Sequence, residues 1–123
     1  MNDINVLVLA YLGDSIYEIY VREYLINKNI VKINDLQQEA ILYVSAKAQS
    51  DFVNKLIENN ILLDKEIDIF KRARNHKQNH KPKNTDIITY KNATGLESVI
   101  GYLYLNDKER LDYIMKYILG EIC

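Results

Sequence analysis

Two acidic residues of this 123-residue chain are the side chains best suited to chemistry, because apolar residues at helical spacing frame both of them. Asp14 lies in LAYLGDSIYE, and Glu97 lies in ATGLESVIGYLYL. A carboxylate that is buried without a partner is costly, so something should neutralise each acid. Mg²⁺ suits this task, since it prefers oxygen ligands and is often held by one or two carboxylates. The alternative is a structural acid pair that neighbouring Lys or Tyr side chains satisfy.

Glu18 and Lys47 are two accessory candidates, and the sequence leaves each with two interpretations. Glu18 lies one helical turn after Asp14, so it either adds a metal ligand or pairs with Arg22 at the i,i+4 spacing of a helix. Lys47, in YVSAKAQ, either points toward the acids or a phosphate group, or is a solvated surface lysine.

Positive charge is concentrated in one segment, although the formal net charge of the chain is −1. Between Lys71 and Lys91 there are seven basic residues and one acid, so this segment carries +6 and the remaining chain −7. A polyanion such as a nucleic acid should bind at this segment if it binds at all. The candidates for that contact are Arg72, Arg74, Lys77, Lys81 and Lys83.

The two histidines, His76 and His80, are spaced as a metal-binding pair on a helix would be. Their surroundings, RNHKQNHKPKN, contain no apolar side chain, and Pro82 prevents a helix from continuing there. No cysteine or carboxylate accompanies them. Contact with a phosphate group or with solvent is therefore the stronger interpretation.

Helical periodicity runs through most of the chain and predicts an all-α fold. The chain has four glycines and one proline, and no segment sustains the alternation of a β-strand. Helices are predicted over about residues 5–27, 34–59 and 64–74, then from a cap at Asn84 or Thr85 to about 105, and finally to about Gly120. The first helix has Leu9, Leu12, Ile16, Ile19 and Glu23 along one side. The second has an inward stripe of Leu36, Ala40, Tyr43, Val44, Ala48, Phe52, Val53 and Leu56, and the fourth has the apolar pattern Ile88, Ala93, Leu96, Val99, Ile100 and Leu103.

Length and composition limit the architecture and the compartment. Residues 1–123 suit one domain that is long enough to bury a core. There is no apolar run of about 18 residues and no leader pattern, so neither membrane insertion nor export is expected. The one cysteine, Cys123, cannot form an internal disulfide and lies in no zinc-binding cluster. A cytoplasmic protein is the simplest expectation.

The segments around Asp14 and Glu97 resemble the ribonuclease III catalytic domain, whose signatures read approximately LEFLGDS and FEALIGALYLD. The match is closer to the Mini-ribonuclease III subfamily, which has the catalytic domain alone and patterns such as AYIGDAVYE…YVR and TYRxATxLEALIGYLYL. Here Tyr17, Glu18, Tyr20, Val21 and Arg22 continue the first pattern, and Thr89, Tyr90, Lys91, Ala93, Thr94, Leu96 and Glu97 begin the second. The resemblance covers about Val6 to Leu119.

This resemblance implies a homodimeric helical bundle that cuts double-stranded RNA with Mg²⁺, leaving 5′ phosphates and 3′ hydroxyls. Asp14 and Glu97 would be the catalytic, metal-binding residues, and Tyr11 would pack into the partner subunit. The small residues Ala10, Gly13, Ser15 and Gly101 would allow close approach of helices between the subunits. For the subfamily, the implied substrate is precursor 23S ribosomal RNA in the large ribosomal subunit. With no double-stranded-RNA-binding domain, RNA would contact this domain's own surface.

One departure from the larger ribonuclease III enzymes limits the expected metal site. Those enzymes have an acid four residues before the aspartate and another three residues before the glutamate, where this chain has Ala10 and Thr94. Two carboxylates per subunit remain, so we expect one tightly held Mg²⁺ rather than two.

Two rival functions remain open at this point. One is a non-cleaving module of the same fold that binds structured RNA, against which the presence of both Asp14 and Glu97 argues. The other is a purely structural helical interaction domain, which would leave the +6 segment unexplained.

Overall fold

The computed structural model describes residues 4–76 and 86–120, and every regular element in these two ranges is an α-helix. The predicted all-α fold is confirmed. The helices are α1 (Val6–Asn27), α2 (Ile33–Val44), α3 (Ala46–Glu58), α4 (Asp64–Arg74), α5 (Ile87–Asn106) and α6 (Lys108–Ile118). None of the helices in the described ranges has the length and apolar character needed to span a bilayer.

Helix α5 is the centre of the bundle, and it packs against α1, α3, α4 and α6. Its middle turns are apolar or small on every side, and a helix with that composition is stable only when its neighbours cover it all round. Leu96, Val99, Ile100 and Leu103 are fully buried in the core. Glu97 therefore lies on the described helix that has the most buried residues.

Two glycines allow α1 to cross α5 at very short range. A Cβ atom at Gly13 would lie 1.8 Å from the backbone oxygen of Glu97, and one at Gly101 would lie 2.0 Å from that of Leu9. Only glycine fits at either position, because real Cβ atoms do not approach backbone so closely. Asp14 follows Gly13 directly, so the crossing brings the two candidate acids to the same place.

This crossing corrects one expectation about the small residues. Ala10, Gly13 and Gly101 are buried inside a single chain, where they allow α1 and α5 to pack, so they are not free to form a contact between subunits. Ser15 is exposed. Any subunit contact through α1 must use a different face of that helix.

The single helix predicted over residues 34–59 is wrong, because the chain breaks at Ser45 into α2 and α3. Ser45 has an extended backbone, with φ −63° and ψ 154°, and its Oγ accepts a hydrogen bond from the N–H of Ala48 at 3.2 Å. Serine is a favoured N-cap, so the residue starts a new helix at this point. The break gives α3 a direction of its own and turns Gln49 and Ser50 toward α5.

The predicted helix patterns and one predicted cap also differ in detail from the structure. Ile19, Glu23 and Ile88 are exposed, and α2 has no fully buried residue, so its predicted stripe is only half-buried against the core. The cap of α5 is Asp86, whose Oδ1 accepts the N–H of Thr89 at 2.9 Å, and the predicted caps Asn84 and Thr85 lie outside the described residues. The residues of α1 that do face inward are Val6, Leu9, Ala10, Gly13, Ile16, Tyr17, Val21 and Leu25.

A buried ion pair joins α4 to α6. The Glu66 side chain has no solvent exposure, and it accepts one hydrogen bond from Nε of Arg110 and one from Nη2, both at 2.9 Å. Glu66 also accepts the backbone N–H of Leu63 at 2.8 Å, and Arg110 donates to the carbonyl of Ile61. Every charge in this cluster therefore has a partner within the chain.

Candidate active site

Asp14 and Glu97 lie side by side where α1 crosses α5. Their carboxyl groups are close enough to share a hydrogen bond. Asp14 is exposed and Glu97 is half-buried, so the pair lies at the protein surface rather than in an enclosed cavity. The sequence predicted two framed acids, and the structure brings these two together.

The proximity of the two acids changes the proton affinity of Glu97. Burial first, and then the hydrogen bond and the charge of Asp14, raise the pKa of Glu97 to about 9, while a hydrogen bond from Gln49 acts in the opposite direction. Glu97 therefore retains its proton near neutral pH and can donate it to Asp14, unless a cation binds. Side chains with this property are typical of functional sites.

Gln49 is a residue of this site that the sequence analysis missed. Its side chain is 2% exposed, and its Nε2 donates to Oε2 of Glu97 at 3.5 Å. In YVSAKAQ, the charge of Lys47 is the more conspicuous feature. The available signal was a polar residue one turn before the buried Val53, on the inward stripe of α3.

Ala10 and Thr94, the two positions where an acid would have enlarged the site, take no part in it. Ala10 is buried at the helix crossing, and Thr94 is buried with its Oγ1 donating to the carbonyl of Tyr90 at 3.1 Å. Across residues 4–76 and 86–120, no group of three or more His, Cys, Asp or Glu side chains lies together as a metal cluster. At this helix crossing, Asp14 and Glu97 are thus the two carboxylates that could hold a cation.

The two accessory candidates have partners of their own. Glu18 accepts a hydrogen bond from Nη2 of Arg22 at 2.8 Å, the i,i+4 ion pair that was one of its two interpretations. Its negative charge still lies near enough to contribute to the raised pKa of Glu97. Lys47 is exposed and pairs with Asp51 at 3.1 Å, so it does not contact either acid.

Only two of the five basic candidates, Arg72 and Arg74, lie among the described residues. Arg72 pairs with Asp68 at 3.0 Å, and the guanidinium of Arg74 lies 5.3 Å from the ring centre of Phe70. No hydrogen bond or ion pair within the described ranges joins either arginine to the acids. Lys77, Lys81, Lys83 and His80 lie outside the described residues, and His76 is half-buried.

Tyr11 is 83% exposed on the outer face of α1, and other apolar residues share that face. A helical surface of this kind, which the described part of the chain leaves uncovered, is typical of an interaction site. Val8, Ile19 and Ile26 are each more than half exposed.

The chain is similar to known proteins over nearly its whole length. The profile of the Ribonuclease III domain family matches residues 7–108, a range that contains both acids. The Mini-ribonuclease 3 of Streptococcus pneumoniae is 42% identical, over 99% of this chain and 96% of that protein, and the Mini-ribonuclease 3 of Clostridium tetani is 47% identical, over 98% and 80%. The chain belongs to the Mini-ribonuclease 3 branch of the ribonuclease III family.

A solved structure agrees with this assignment. A crystal structure of a protein from Fusobacterium nucleatum superposes on this one with a TM-score of 0.83 and 35% identity, over 98% of this chain and 96% of that one. Membership of the Mini-ribonuclease 3 branch makes the protein an endoribonuclease, and the predicted ribonuclease III-like fold is confirmed.

Proposed function

We propose that this Mini-ribonuclease 3 protein cuts double-stranded RNA with Mg²⁺, and that Asp14 and Glu97 hold the ion and form the catalytic centre. One observation carries the proposal: two carboxylates face each other, and no Lys or Arg of the described chain forms an ion pair with either of them. Their charge is compensated by a shared proton or by a cation from solution.

The donor set fits Mg²⁺. The ion prefers carboxylate oxygens, keeps several waters, and is commonly bound through one or two protein carboxylates together with substrate phosphate. When bound at this pair, it supplies the positive charge that lowers the pKa of a water and stabilises the phosphodiester as its bond to the 3′ oxygen breaks. Asp14 and Glu97 fix the position of that charge on the protein surface.

An open surface site suits a duplex substrate. An RNA helix is too wide to enter a cavity, and its backbone and minor groove are read from outside. Asp14 is exposed and Glu97 is half-buried, so a phosphate group can reach the outer carboxylate while α5 holds the inner one rigidly. The site therefore favours a large, charged substrate over a small one.

We further propose that the basic segment provides the contact with RNA, through Arg72, Arg74, Lys77, Lys81 and Lys83. The support is the concentration of charge, +6 within a chain whose remainder is −7. Replacing all five with neutral residues should weaken RNA binding and flatten its salt dependence by roughly 0.7 to 0.9 logarithmic units of slope per lost phosphate contact. An unchanged slope would mean that RNA binds elsewhere.

A homodimer is part of the proposal, with Tyr11 at its interface. Tyr11 and the other exposed apolar residues of α1 form a face that residues 4–76 and 86–120 leave uncovered. A twofold pair of sites also matches the two antiparallel strands of a duplex. Tyr11→Asp should give a monomer in sedimentation at micromolar concentration, where the parent protein should be a dimer. A parent protein that sediments only at 14.4 kDa would contradict this.

The finer substrate follows from the resemblance to Mini-ribonuclease III. We propose precursor 23S ribosomal RNA, presented in the large ribosomal subunit, which would locate the protein in the cytoplasm. Incubation with precursor large subunits should produce mature 23S ends, and unprocessed ends beside efficient cutting of a plain duplex would overturn this part alone.

Cleavage of duplex RNA is the test of the main proposal. The protein should cut a labelled duplex with Mg²⁺ and stop in EDTA, and Asp14→Asn and Glu97→Gln should bind the duplex but leave it intact. Cleavage that persists in EDTA, or in either variant at saturating Mg²⁺, would contradict the assignment. Binding without cleavage by the parent protein would instead indicate a non-cleaving module.

A further inference from the structure

We propose that Gln49 is a positioning residue that holds the Glu97 carboxylate in the orientation needed to bind the divalent cation. The inference rests on the proposed function, because it assumes that the pair of acids is the cation site. It adds a third residue, from a third helix, to a site that otherwise comes from α1 and α5.

The contact is specific and shielded from water. Gln49 is 2% exposed, and its Nε2 lies 3.5 Å from Oε2 of Glu97. An ionised carboxylate only accepts hydrogen bonds, so the amide must present its amino group to it. One oxygen of Glu97 is then engaged by α3, which leaves the lone pairs of the other oxygen available for a cation.

The chemical type of the residue supports a role in positioning. A Lys or Arg at this place would neutralise Glu97 and compete with the cation, whereas an apolar residue would leave the carboxylate free to rotate. A neutral amide avoids both outcomes, because it orients the acid without supplying a charge. Hydrogen-bonded neighbours of this kind orient metal-binding side chains in many proteins.

The fold explains how Gln49 reaches Glu97. Ser45 caps α3 and gives it a start separate from α2, and α3 then packs directly on α5. Val53, one turn after Gln49, is fully buried and fixes the rotation of α3 about its axis. A buried glutamine without a partner would be costly, so its contact with Glu97 also satisfies the amide.

Gln49→Met is the main test, because methionine has nearly the same length and shape but cannot donate. We expect the affinity for Mg²⁺ alone, or for Mn²⁺ as its substitute, to fall about tenfold in calorimetric titration. Gln49→Asn is the second variant: its amide is one methylene shorter, so it should lose the contact and much of the affinity while staying polar. The Mg²⁺ concentration that half-saturates cleavage should rise in parallel.

Ser50→Ala is the matched control. Ser50 is the next residue of α3 and is also buried, but its hydroxyl accepts from Asn92 at 3.1 Å and does not contact Glu97. This variant should lower the free energy of unfolding in urea and leave metal affinity within about twofold. Comparison of the two variants separates positioning from general loosening of the α3–α5 contact.

The outcomes are distinguishable. A tenfold loss in Gln49→Met with no comparable loss in Ser50→Ala supports the inference. If Gln49→Met binds the metal as tightly as the parent protein, the inference is wrong while the proposed function stands. The same holds if Ser50→Ala loses as much metal affinity as Gln49→Met. If the parent protein binds no metal, or Glu97→Gln binds it equally well, the proposed cation site itself is wrong.

Discussion

Glu66 and Glu97 are two glutamates removed from water in the same bundle, and they are compensated in opposite ways. Glu66 is fully buried, and the bidentate guanidinium of Arg110 and the backbone N–H of Leu63 neutralise and satisfy it. Glu97 is half-buried, and its nearest charged neighbour is another carboxylate, Asp14. Within the described ranges, the amide of Gln49 donates to its side chain at 3.5 Å.

The difference shows which acid serves the fold and which serves a ligand. A buried acid with its own arginine gains nothing from a cation in solution. A pair of acids with no basic partner among residues 4–76 and 86–120 has a charge that these residues leave uncompensated, so an external cation can bind there with a favourable free energy. The charge of the neighbouring side chains, and not burial alone, distinguishes the structural Glu66 from the candidate ligand Glu97.

The largest effect should come from removing one acid of the pair. Glu97→Gln keeps the shape of the side chain but loses the charge that holds Mg²⁺, so the cleavage rate should fall at least about a thousandfold. The free energy of unfolding near neutral pH should change little, because the amide of glutamine can donate to Asp14 as the protonated Glu97 does. Single-turnover cleavage and urea unfolding together check this. Loss of activity through unfolding would contradict it.

Breaking the Glu66–Arg110 ion pair should lower the stability of the protein and leave catalysis unchanged. Arg110→Met leaves Glu66 buried without its cation, which should lower the free energy of unfolding by about 3 to 5 kcal/mol. Cleavage per folded molecule at low temperature should be nearly that of the parent protein. If Arg110→Met instead stayed stable and lost activity, the structural role of this ion pair would be wrong.

The pH dependence should also differ between the two clusters. The pKa of Glu97 is about 9 in the folded protein against 4.5 for an ordinary glutamate, so its contribution to stability is complete below the ordinary value and is lost as the pH rises through 9. In EDTA, the parent protein should therefore lose stability between about pH 6 and pH 9. Mg²⁺ must displace the shared proton, so the rise in Tm that it causes should grow over the same range.

Glu97→Gln is the control for this pH effect. The variant should show a flatter dependence of Tm on pH in EDTA and no increase on addition of Mg²⁺. A parent protein whose Tm responds to Mg²⁺ equally at both ends of the range would mean that metal binding is not linked to this proton.

The smallest effect should come from the third nearby acid. Glu18 is paired with Arg22 at the surface, and such pairs contribute about 0 to 1 kcal/mol. Glu18→Gln should change the cleavage rate and the Mg²⁺ requirement by no more than a few-fold. A loss as large as that of Glu97→Gln would make Glu18 a ligand, and the site would then have three acids.

The helix ends were predictable where local chemistry decides them. The helix predicted over about 64–74 is α4 (Asp64–Arg74), and α1 ends at Asn27 as expected. Asn29 and Asn60 have φ of 65° and 57°, a left-handed conformation that asparagine tolerates better than most residues, and each closes its helix. The break at Ser45 was not predictable in this way, because the apolar pattern continues through it and tertiary packing selects the cap over a longer helix.

The residues of the site also differ in whether local sequence or tertiary packing determines them. Asp14 and Glu97 are recognisable from their framed positions and from the resemblance to the ribonuclease III signatures. Their contact depends on Gly13 and Gly101, whose spacing in sequence does not reveal that they cross within one chain. The local pattern does not reveal long-range partners: it pairs neither Gln49 with Glu97 nor Arg110 with Glu66, which is 44 residues away.

The location of the bound ion tests the central claim most directly. Crystals grown with Mn²⁺, which shares the preference of Mg²⁺ for oxygen ligands, should show one anomalous peak per subunit between Asp14 and Glu97, with metal–oxygen distances of about 2.0 to 2.2 Å. The same crystals of Glu97→Gln should lack that peak. A peak at any other group of side chains, with none between these two acids, would contradict the account.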